Sequence, residues 1–217
     1  MRILSLDIST KTGFAVLEGE RDTVPSLLEY GTIVNHQSVF KYGGYPFSYL
    51  FAVEDVIARV MAVVVRVKPD VIVVEETNAG KLSSRYSQKV LEYLHCTFLR
   101  RFQETFVENH HNIGWKPEVY YISSSMWRSA LHLQMTKEDK KNNQLLSKGK
   151  RLAEENGTVF DKATIGVKGK ISKKHLSVRY VNATFNKSFK MKDNDVTDAI
   201  SLGTSYLCGA KICDGVM

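Results

Sequence analysis

The spacing of apolar and polar residues divides the chain into short strands and amphipathic helices. Apolar runs of four to eight residues are typical of strands, and apolar residues recurring every three or four positions are typical of helices. By these patterns we predict strands at 3–8, 14–17, 27–34, 71–74 and 117–122, and helices at 46–67, 85–110, 124–133, 172–185 and from 194 onwards. The order is therefore three strands, a helix, a strand, a helix, a strand and then helices.

The connections between these elements predict how the strands pair. The first three strands have short links, which favours an antiparallel meander. The uninterrupted run Val71–Val74 suits a parallel strand covered on both faces. Two predicted helices each carry an apolar stripe that can cover the sheet. The first stripe is Leu50, Val53, Ile57, Val60, Met61 and Val64, and the second is Val90, Leu91, Leu94, Phe98, Phe102 and Phe106. We expect an α/β protein with a mixed five-stranded sheet flanked by helices, forming one domain over 1–217.

Composition narrows the class of protein. With 217 residues, 43% hydrophobic and 24% charged, the chain has the composition of an ordinary globular domain. The longest apolar run, 60–67, is broken by Arg66 and is too short to cross a bilayer. The start MRILSLD carries a charge and then an acidic residue, so it lacks the apolar region expected of a signal peptide. We therefore expect a cytoplasmic protein with no membrane partner. Three cysteines without a CxxC pair offer no zinc site, and Cys96 and Cys208 are expected to be buried.

Positive charge is concentrated in one segment. The net charge is +7, and residues 137–192 alone carry a surplus of ten, which leaves −3 for the rest of the chain. We interpret 137–192 as a basic insertion before the last helix, with a lysine- and glycine-rich loop around 157–170. Such a run is either a solvated face or a surface for a phosphate backbone.

Acidic residues occur where the predicted elements end. Asp7 interrupts an apolar run, where an unpaired charge would cost several kcal/mol, yet aspartate also favours turns. Glu75 ends the buried fourth strand, at a position where ligands bind in α/β sheets or where a strand simply reaches the surface. Asp195 and Asp198, at i and i+3, share one face of a helix, either as capping residues or as metal ligands. If the first and fourth strands are neighbours, these four carboxylates converge and would need divalent cations.

Three motifs resemble those of a known family. LSLDISTKTGFAV, PDVIVVEET and DNDVTDAISLG, in this order, resemble the acidic motifs of RuvC-type Holliday junction resolvases of the ribonuclease H-like superfamily, especially the bacteriophage-like branch. The resemblance implies that Asp7, Glu75, Asp195 and Asp198 hold two Mg²⁺ ions, with Mn²⁺ as a possible substitute and Glu76 as the alternative to Glu75.

The resemblance also implies an activity and partners. We expect a homodimer that binds four-way junctions and related branched DNA and resolves them by paired nicks, leaving 5′-phosphate and 3′-hydroxyl ends. The helix at 85–110 is a candidate dimer interface. The insertion is longer than in the cellular enzyme, so the DNA contacts of the chain are assigned from charge alone: Lys11, which lies outside the insertion, and Lys168, Lys170, Lys173, Lys174 and Arg179 within it.

Two other interpretations stay open at this point. Proteins of the actin-like superfamily also begin with an aspartate strand and a Ser/Thr/Gly turn, so Asp7 and the turn at 10–12 could face a nucleotide phosphate. Their usual two-domain size is against this interpretation. A DNA-binding module without catalysis is the third possibility.

Overall fold

The computed structural model describes residues 1–35, 44, 46–77, 85–109, 114–162, 167 and 169–213. Five strands are β1 (Arg2–Asp7), β2 (Lys11–Glu18), β3 (Ser26–Val34), β4 (Val71–Glu75) and β5 (Glu118–Ile122). Six α-helices are α1 (Phe47–Val67), α2 (Arg85–Phe102), α3 (Ser124–Ala130), α4 (Lys137–Glu155), α5 (Lys173–Phe185) and α6 (Asn194–Leu207). A π-helical segment, Gln103–Glu108, extends α2, and a 3₁₀ turn, Met191–Asp193, leads into α6.

The strands form one mixed sheet in the order β3-β2-β1-β4-β5. β1 and β2, and β2 and β3, are antiparallel, whereas β4 is parallel to both β1 and β5. The predicted mixed five-stranded sheet is confirmed, and so is the expectation that the first and fourth strands are neighbours. The carboxyl ends of β1 and β4 therefore meet at one edge of the sheet.

The two faces of the sheet have separate cores. Leu4 and Leu6 of β1 join Ile72 and Val74 of β4 beneath α1 and α2. Ile3 of β1, with alternate residues of β4, faces the opposite side, which α3 and α6 cover. Because side chains alternate along a strand, Asp7 shares the face of Ile3 and Ser5, and Glu75 shares the face of Val71 and Val73.

Two glycines allow α6 to lie close against the sheet. A Cβ atom on Gly13 of β2 would lie 2.0 Å from the carbonyl oxygen of Asp195. A Cβ atom on Gly203 of α6 would lie 2.4 Å from Leu17 Cδ1 and 2.8 Å from Ser5 Oγ. Any larger residue at either position would push the helix away. The first of these contacts holds the N-terminal turn of α6 directly over the end of β1.

The basic insertion contains an element that the apolar pattern did not predict. α4 is a 19-residue helix whose buried residues are Asp139 and Leu146. It begins with a capping box in which Thr136 Oγ1 accepts from the Asp139 amide and the Asp139 carboxylate accepts from the Thr136 amide. A helix that buries so little apolar surface leaves no stripe in the sequence, because hydrogen bonds and charge hold it instead.

Smaller differences concern helix ends and single side chains. α3 ends at Ala130 rather than 133, and the α-helical part of the 85–110 segment ends at Phe102. Leu50, assigned to the stripe of α1, is 53% exposed because it lies near the start of that helix, at the rim of the core. Cys96 and Cys208, expected to be buried, are both exposed, because Cys96 lies on the outer face of α2 and Cys208 at the C-terminal end of α6. Among the helices described, none combines the length and apolar character needed to cross a membrane.

Candidate metal and nucleic-acid site

Asp7 and Glu75 lie side by side at the edge of the sheet. Leu6 pairs with Val74 in the parallel ladder between β1 and β4, so the next residue of each strand, Asp7 and Glu75, occupies the same level and the same face. Glu76, the alternative to Glu75, has the opposite strand parity, and its Oε2 accepts a hydrogen bond from Cys213 Sγ at 3.3 Å. The backbone therefore directs Glu75 rather than Glu76 toward Asp7.

Helix α6 brings the other two carboxylates to the same edge. Asp195 and Asp198 lie in its first turns, and the contact with Gly13 positions them above β1 and β2, where Asp7 pairs with Gly13. Asp198 is 3% exposed, although it carries a charged group. Four residues separated by up to 191 positions in sequence thus lie near the same edge of the sheet, and their role as joint metal ligands stays a prediction.

Three cations surround these carboxylates. Lys11 Nζ lies 2.9 Å from Asp195 Oδ2, and Lys174 Nζ lies 3.6 Å from Asp195 Oδ1. From beneath, Arg128 Nη2 lies 3.7 Å from Asp198 Oδ2. Lys11 and Lys174 are about half exposed, whereas the Arg128 side chain is only 14% exposed. The lysines therefore occupy the rim of the site, and the arginine belongs to its floor.

The pKa values reflect crowding of negative charge in a buried place. Burial, followed by the charges of Glu75, Asp198 and Asp195, raises the pKa of Asp7 well above its ordinary value. Burial likewise raises the pKa of Glu75 to about 7, against the opposing effect of Arg128. The pKa of Asp198 is raised by burial too, partly offset by Ser177 and Arg128. Keeping these carboxylates ionised therefore costs free energy, and a bound cation would offset that cost.

The donor set fits a hard divalent cation in its chemistry. Carboxylate oxygens are the ligands that Mg²⁺ and Mn²⁺ prefer. Asp198 Oδ1 is buried and has no hydrogen-bond partner among the described residues, which leaves it available to a cation. In the part of the chain that the structure describes, however, no three acidic, histidine or cysteine side chains are close enough to share an ion. Asp195 is held by Lys11 and Lys174, so an ion would compete with these lysines for its oxygens.

A cleft of about 270 Å³ opens over this cluster. Its lining residues include Asp7, Glu75, Asp195, Lys174 and His95. The His95 ring comes from α2, is 7% exposed, and has a pKa lowered by burial to about 4. A neutral imidazole therefore lines the cleft beside its acidic residues and Lys174.

The turn between β1 and β2 satisfies its own polar groups. Thr12 Oγ1 donates to the Ser9 carbonyl oxygen at 2.7 Å and accepts from the Ser9 amide at 3.1 Å. Ser9 Oγ donates to the Lys11 carbonyl oxygen at 2.9 Å. The Thr12 hydroxyl group, which a nucleotide-binding interpretation assigns to a phosphate, is thus engaged within the turn, as is that of Ser9.

The six residues assigned to DNA from charge alone have different surroundings. Lys11 and Lys174 lie beside the acidic cluster. Lys170 and Lys173 are exposed, the first just before α5 and the second at its first residue. Arg179 is already paired, because its Nη1 donates to both oxygens of Asp139 at 3.0 and 2.8 Å. Lys168 lies outside the described residues.

The sequence reasoning missed residues that support the site. It assigned no role to Arg128, although this side chain lies beneath the carboxylates, with its guanidinium 4.1 Å from the ring centroid of Trp127. Gly13 and His95 were not singled out either. The one available signal was an arginine on a short, otherwise weakly polar helix directly after β5, and that signal is weak because arginine is common at helix surfaces.

Comparison with solved structures defines the fold class. The chain has the ribonuclease H-like fold, with the three antiparallel and two parallel strands described above. It matches the structure of Thermus thermophilus RuvC in complex with Holliday junction substrate with a TM-score of 0.60 and 14% identity, covering 98% of this chain and 100% of that one. A second structure of Thermus thermophilus RuvC matches with a TM-score of 0.57 and 15% identity, over 98% and 100% of the two chains.

The other comparisons find no relative. No model of a known family matches the sequence, and no characterised protein matches it significantly. At 14–15% identity the structural likeness establishes the fold. The resemblance inferred from the three motifs is therefore confirmed as a resemblance of fold.

Proposed function

We propose that this protein is a metal-dependent endonuclease that resolves four-way DNA junctions and related branched DNA. The observation that carries the proposal is the meeting of Asp7, Glu75, Asp195 and Asp198 at the edge of a ribonuclease H-like sheet, beside Lys11 and Lys174. The same fold is found in a RuvC structure that holds Holliday junction substrate. Acidic ligands next to exposed lysines suit a phosphodiester substrate, whose backbone is anionic.

The four carboxylates would hold two Mg²⁺ ions, or Mn²⁺ in their place. When bound, such ions activate a water molecule and stabilise the leaving oxygen of a phosphodiester. Asp7 and Glu75, fixed on adjacent strands, would form the rigid half of the site, and Asp195 and Asp198 would close it from α6. The products would be 5′-phosphate and 3′-hydroxyl ends.

Lys174 would have two partners in turn. It pairs with Asp195 at 3.6 Å, and its half-exposed ammonium can turn from that carboxylate to a phosphate at the mouth of the cleft. Lys11 is placed in the same way on the other side of Asp195. Together with Lys170, Lys173 and Lys174 of the basic insertion, Lys11 of β2 would contact the DNA strand being cut.

Paired cutting of a junction requires two sites and therefore a homodimer. The aromatic stripe of α2 is not free to form an interface, since Phe98, Phe102 and Phe106 are fully buried within one chain. Exposed apolar side chains instead gather at the start of α1 and on α2: Phe47, Leu50 and Tyr93, at 61%, 53% and 49% exposure. We assign the dimer contact to this surface, so that Leu50→Glu would yield a monomer in sedimentation.

Cleavage of a labelled DNA panel tests the proposal. Four-way junctions, Y-forks, flaps and linear duplexes are incubated with and without Mg²⁺, and the ends are mapped on both strands. Paired symmetric nicks confined to junctions, requiring Mg²⁺, are expected. Asp7→Asn should abolish cutting and leave junction binding intact, because only a negative charge facing DNA is removed. Cutting by Asp7→Asn at the wild-type rate would contradict the assignment, and tight ATP binding in calorimetry would favour the actin-like interpretation.

A further inference from the structure

Helix α4 carries five of its six basic residues on one side. At 3.6 residues per turn, five basic residues fall within an arc of about 100° along roughly 21 Å of the helix. We call this set the basic stripe: Lys137, Lys140, Lys141, Lys148 and Arg151. All five side chains are exposed.

The opposite side of α4 holds the helix to the protein. Asn143 Nδ2 donates to the Ile171 carbonyl oxygen at 2.8 Å, and the Ile171 amide donates to Asn143 Oδ1 at 2.9 Å. Arg179 binds both oxygens of Asp139 from α5. These contacts join α4 to the segment that begins α5, and Lys174 of α5 lines the cleft. The basic stripe thus has a fixed relation to the cleft while facing away from α5.

The charges of the basic stripe are not balanced by neighbouring acids. Arg151 pairs with Glu155 at 3.4 Å, but none of the four lysines forms an ion pair with another described residue. Lys137 has like charges three and four residues further along the helix, at Lys140 and Lys141. Lys148 has one three residues further along, at Arg151. Like charges at these spacings destabilise a helix, so the arrangement is intrinsically unfavourable. A polyanion along the stripe would remove that repulsion.

We propose that the basic stripe binds the phosphate backbone of a second duplex arm of the branched substrate, away from the strand in the cleft. The inference rests on the proposed function for the identity of the polyanion. Because the stripe faces away from α5, a phosphate held by Lys174 and one held by the stripe belong to different stretches of DNA. A branched molecule presents such separate stretches at once, whereas a short linear duplex does not.

Two matched triple variants test the stripe. Lys137→Gln, Lys141→Gln and Lys148→Gln together remove three stripe charges. Lys68→Gln, Lys150→Gln and Lys211→Gln remove three exposed charges elsewhere, one of them on another face of α4, so both variants have the same net charge. Binding to a fluorescent four-way junction is measured against salt concentration without Mg²⁺, with long arms and with arms cut short. Circular dichroism of each variant verifies that α4 is retained.

The stripe variant should bind the long-armed junction at least about tenfold more weakly, with a salt slope lower by about 0.9 for each lost contact, hence by about 2.7. On the short-armed junction its deficit should disappear, and the control variant should stay near wild type on both. Equal losses in the two triple variants, or the same loss on short arms, would overturn the inference. A wild-type protein that binds junctions but never cuts them would contradict the proposed function while leaving the stripe measurable. Failure of the wild type to bind branched DNA would remove both.

Discussion

Replacing Glu75 by glutamine should stabilise the metal-free protein near pH 8. Glu75 lies in the carboxylate cluster, where burial raises its pKa from an ordinary 4.5 to about 7. A raised carboxyl pKa means that the folded state binds the proton more tightly than the unfolded state does. Stability therefore falls as pH rises from 4.5 to 7 and stays low above that range. Glutamine has the same shape and no charge to lose.

The size of the effect follows from the pKa difference. It corresponds to roughly 3 kcal/mol of folding free energy near pH 8, and to far less near pH 5, where the folded wild type is still protonated. For a chain of this length, 1 kcal/mol shifts Tm by about 2–4 °C, so Glu75→Gln should raise Tm by roughly 6–12 °C near pH 8. Excess Mg²⁺ should reverse the order, because a bound cation stabilises only the charged wild-type site.

Thermal unfolding by differential scanning calorimetry measures the prediction at both pH values, with EDTA or with Mg²⁺. Glu20→Gln is the matched control, since Glu20 is exposed on the β2–β3 connection, away from the carboxylate cluster. A Tm difference between Glu75→Gln and wild type that is the same near pH 5 and pH 8 would refute the reasoning. So would a failure of Mg²⁺ to stabilise the wild type more than the variant.

Two further substitutions test how the site and the insertion are held. Gly13→Ala should displace α6 and cost about 1–3 kcal/mol of folding free energy, because the new Cβ would overlap the Asp195 carbonyl oxygen. Calorimetry should show a lower stability, and Mg²⁺-dependent cleavage should be slower. The control Gly169→Ala, whose Cβ would lie in open space, should show neither loss. Arg179→Ala should destabilise the insertion by about 1 kcal/mol, since the arginine is half exposed and leaves the Asp139 carboxylate buried without its partner. Faster amide exchange over α4, with β1 unchanged, is the expected observation; unchanged exchange would contradict a role for the Arg179–Asp139 pair in holding the helix.

Local patterns determined much of the architecture. The uninterrupted apolar run of β4 requires cover on both faces, and the short links between β1, β2 and β3 leave little choice but an antiparallel meander. The three motifs around Asp7, Glu75 and Asp198 were enough to indicate the ribonuclease H-like fold before any coordinates. These features depend on neighbours in the chain, so the sequence displays them directly.

Other features depend on residues that meet only after folding. Helix α4 has no apolar stripe, because Asp139 and Asn143 attach it through partners on α5 and at Ile171. Nothing in the sequence distinguishes Arg128 from the other arginines. Only the folded structure places it beneath Asp198, directly after β5. The preference for Glu75 over Glu76 follows from the register between β4 and β1. A shift of that register by one residue would move every side chain of β4 to the other face.

The sequence by itself therefore determined the order of elements, the acidic residues and the segment that carries the positive charge. Only the tertiary structure decided that Gly13 admits α6 over β1, that Lys11 and Lys174 hold Asp195 at the rim, and that the lysines of α4 form one outward stripe. The physical reason is range: propensity and periodicity act over a few residues, whereas close packing and charge pairing act between segments that the chain separates widely.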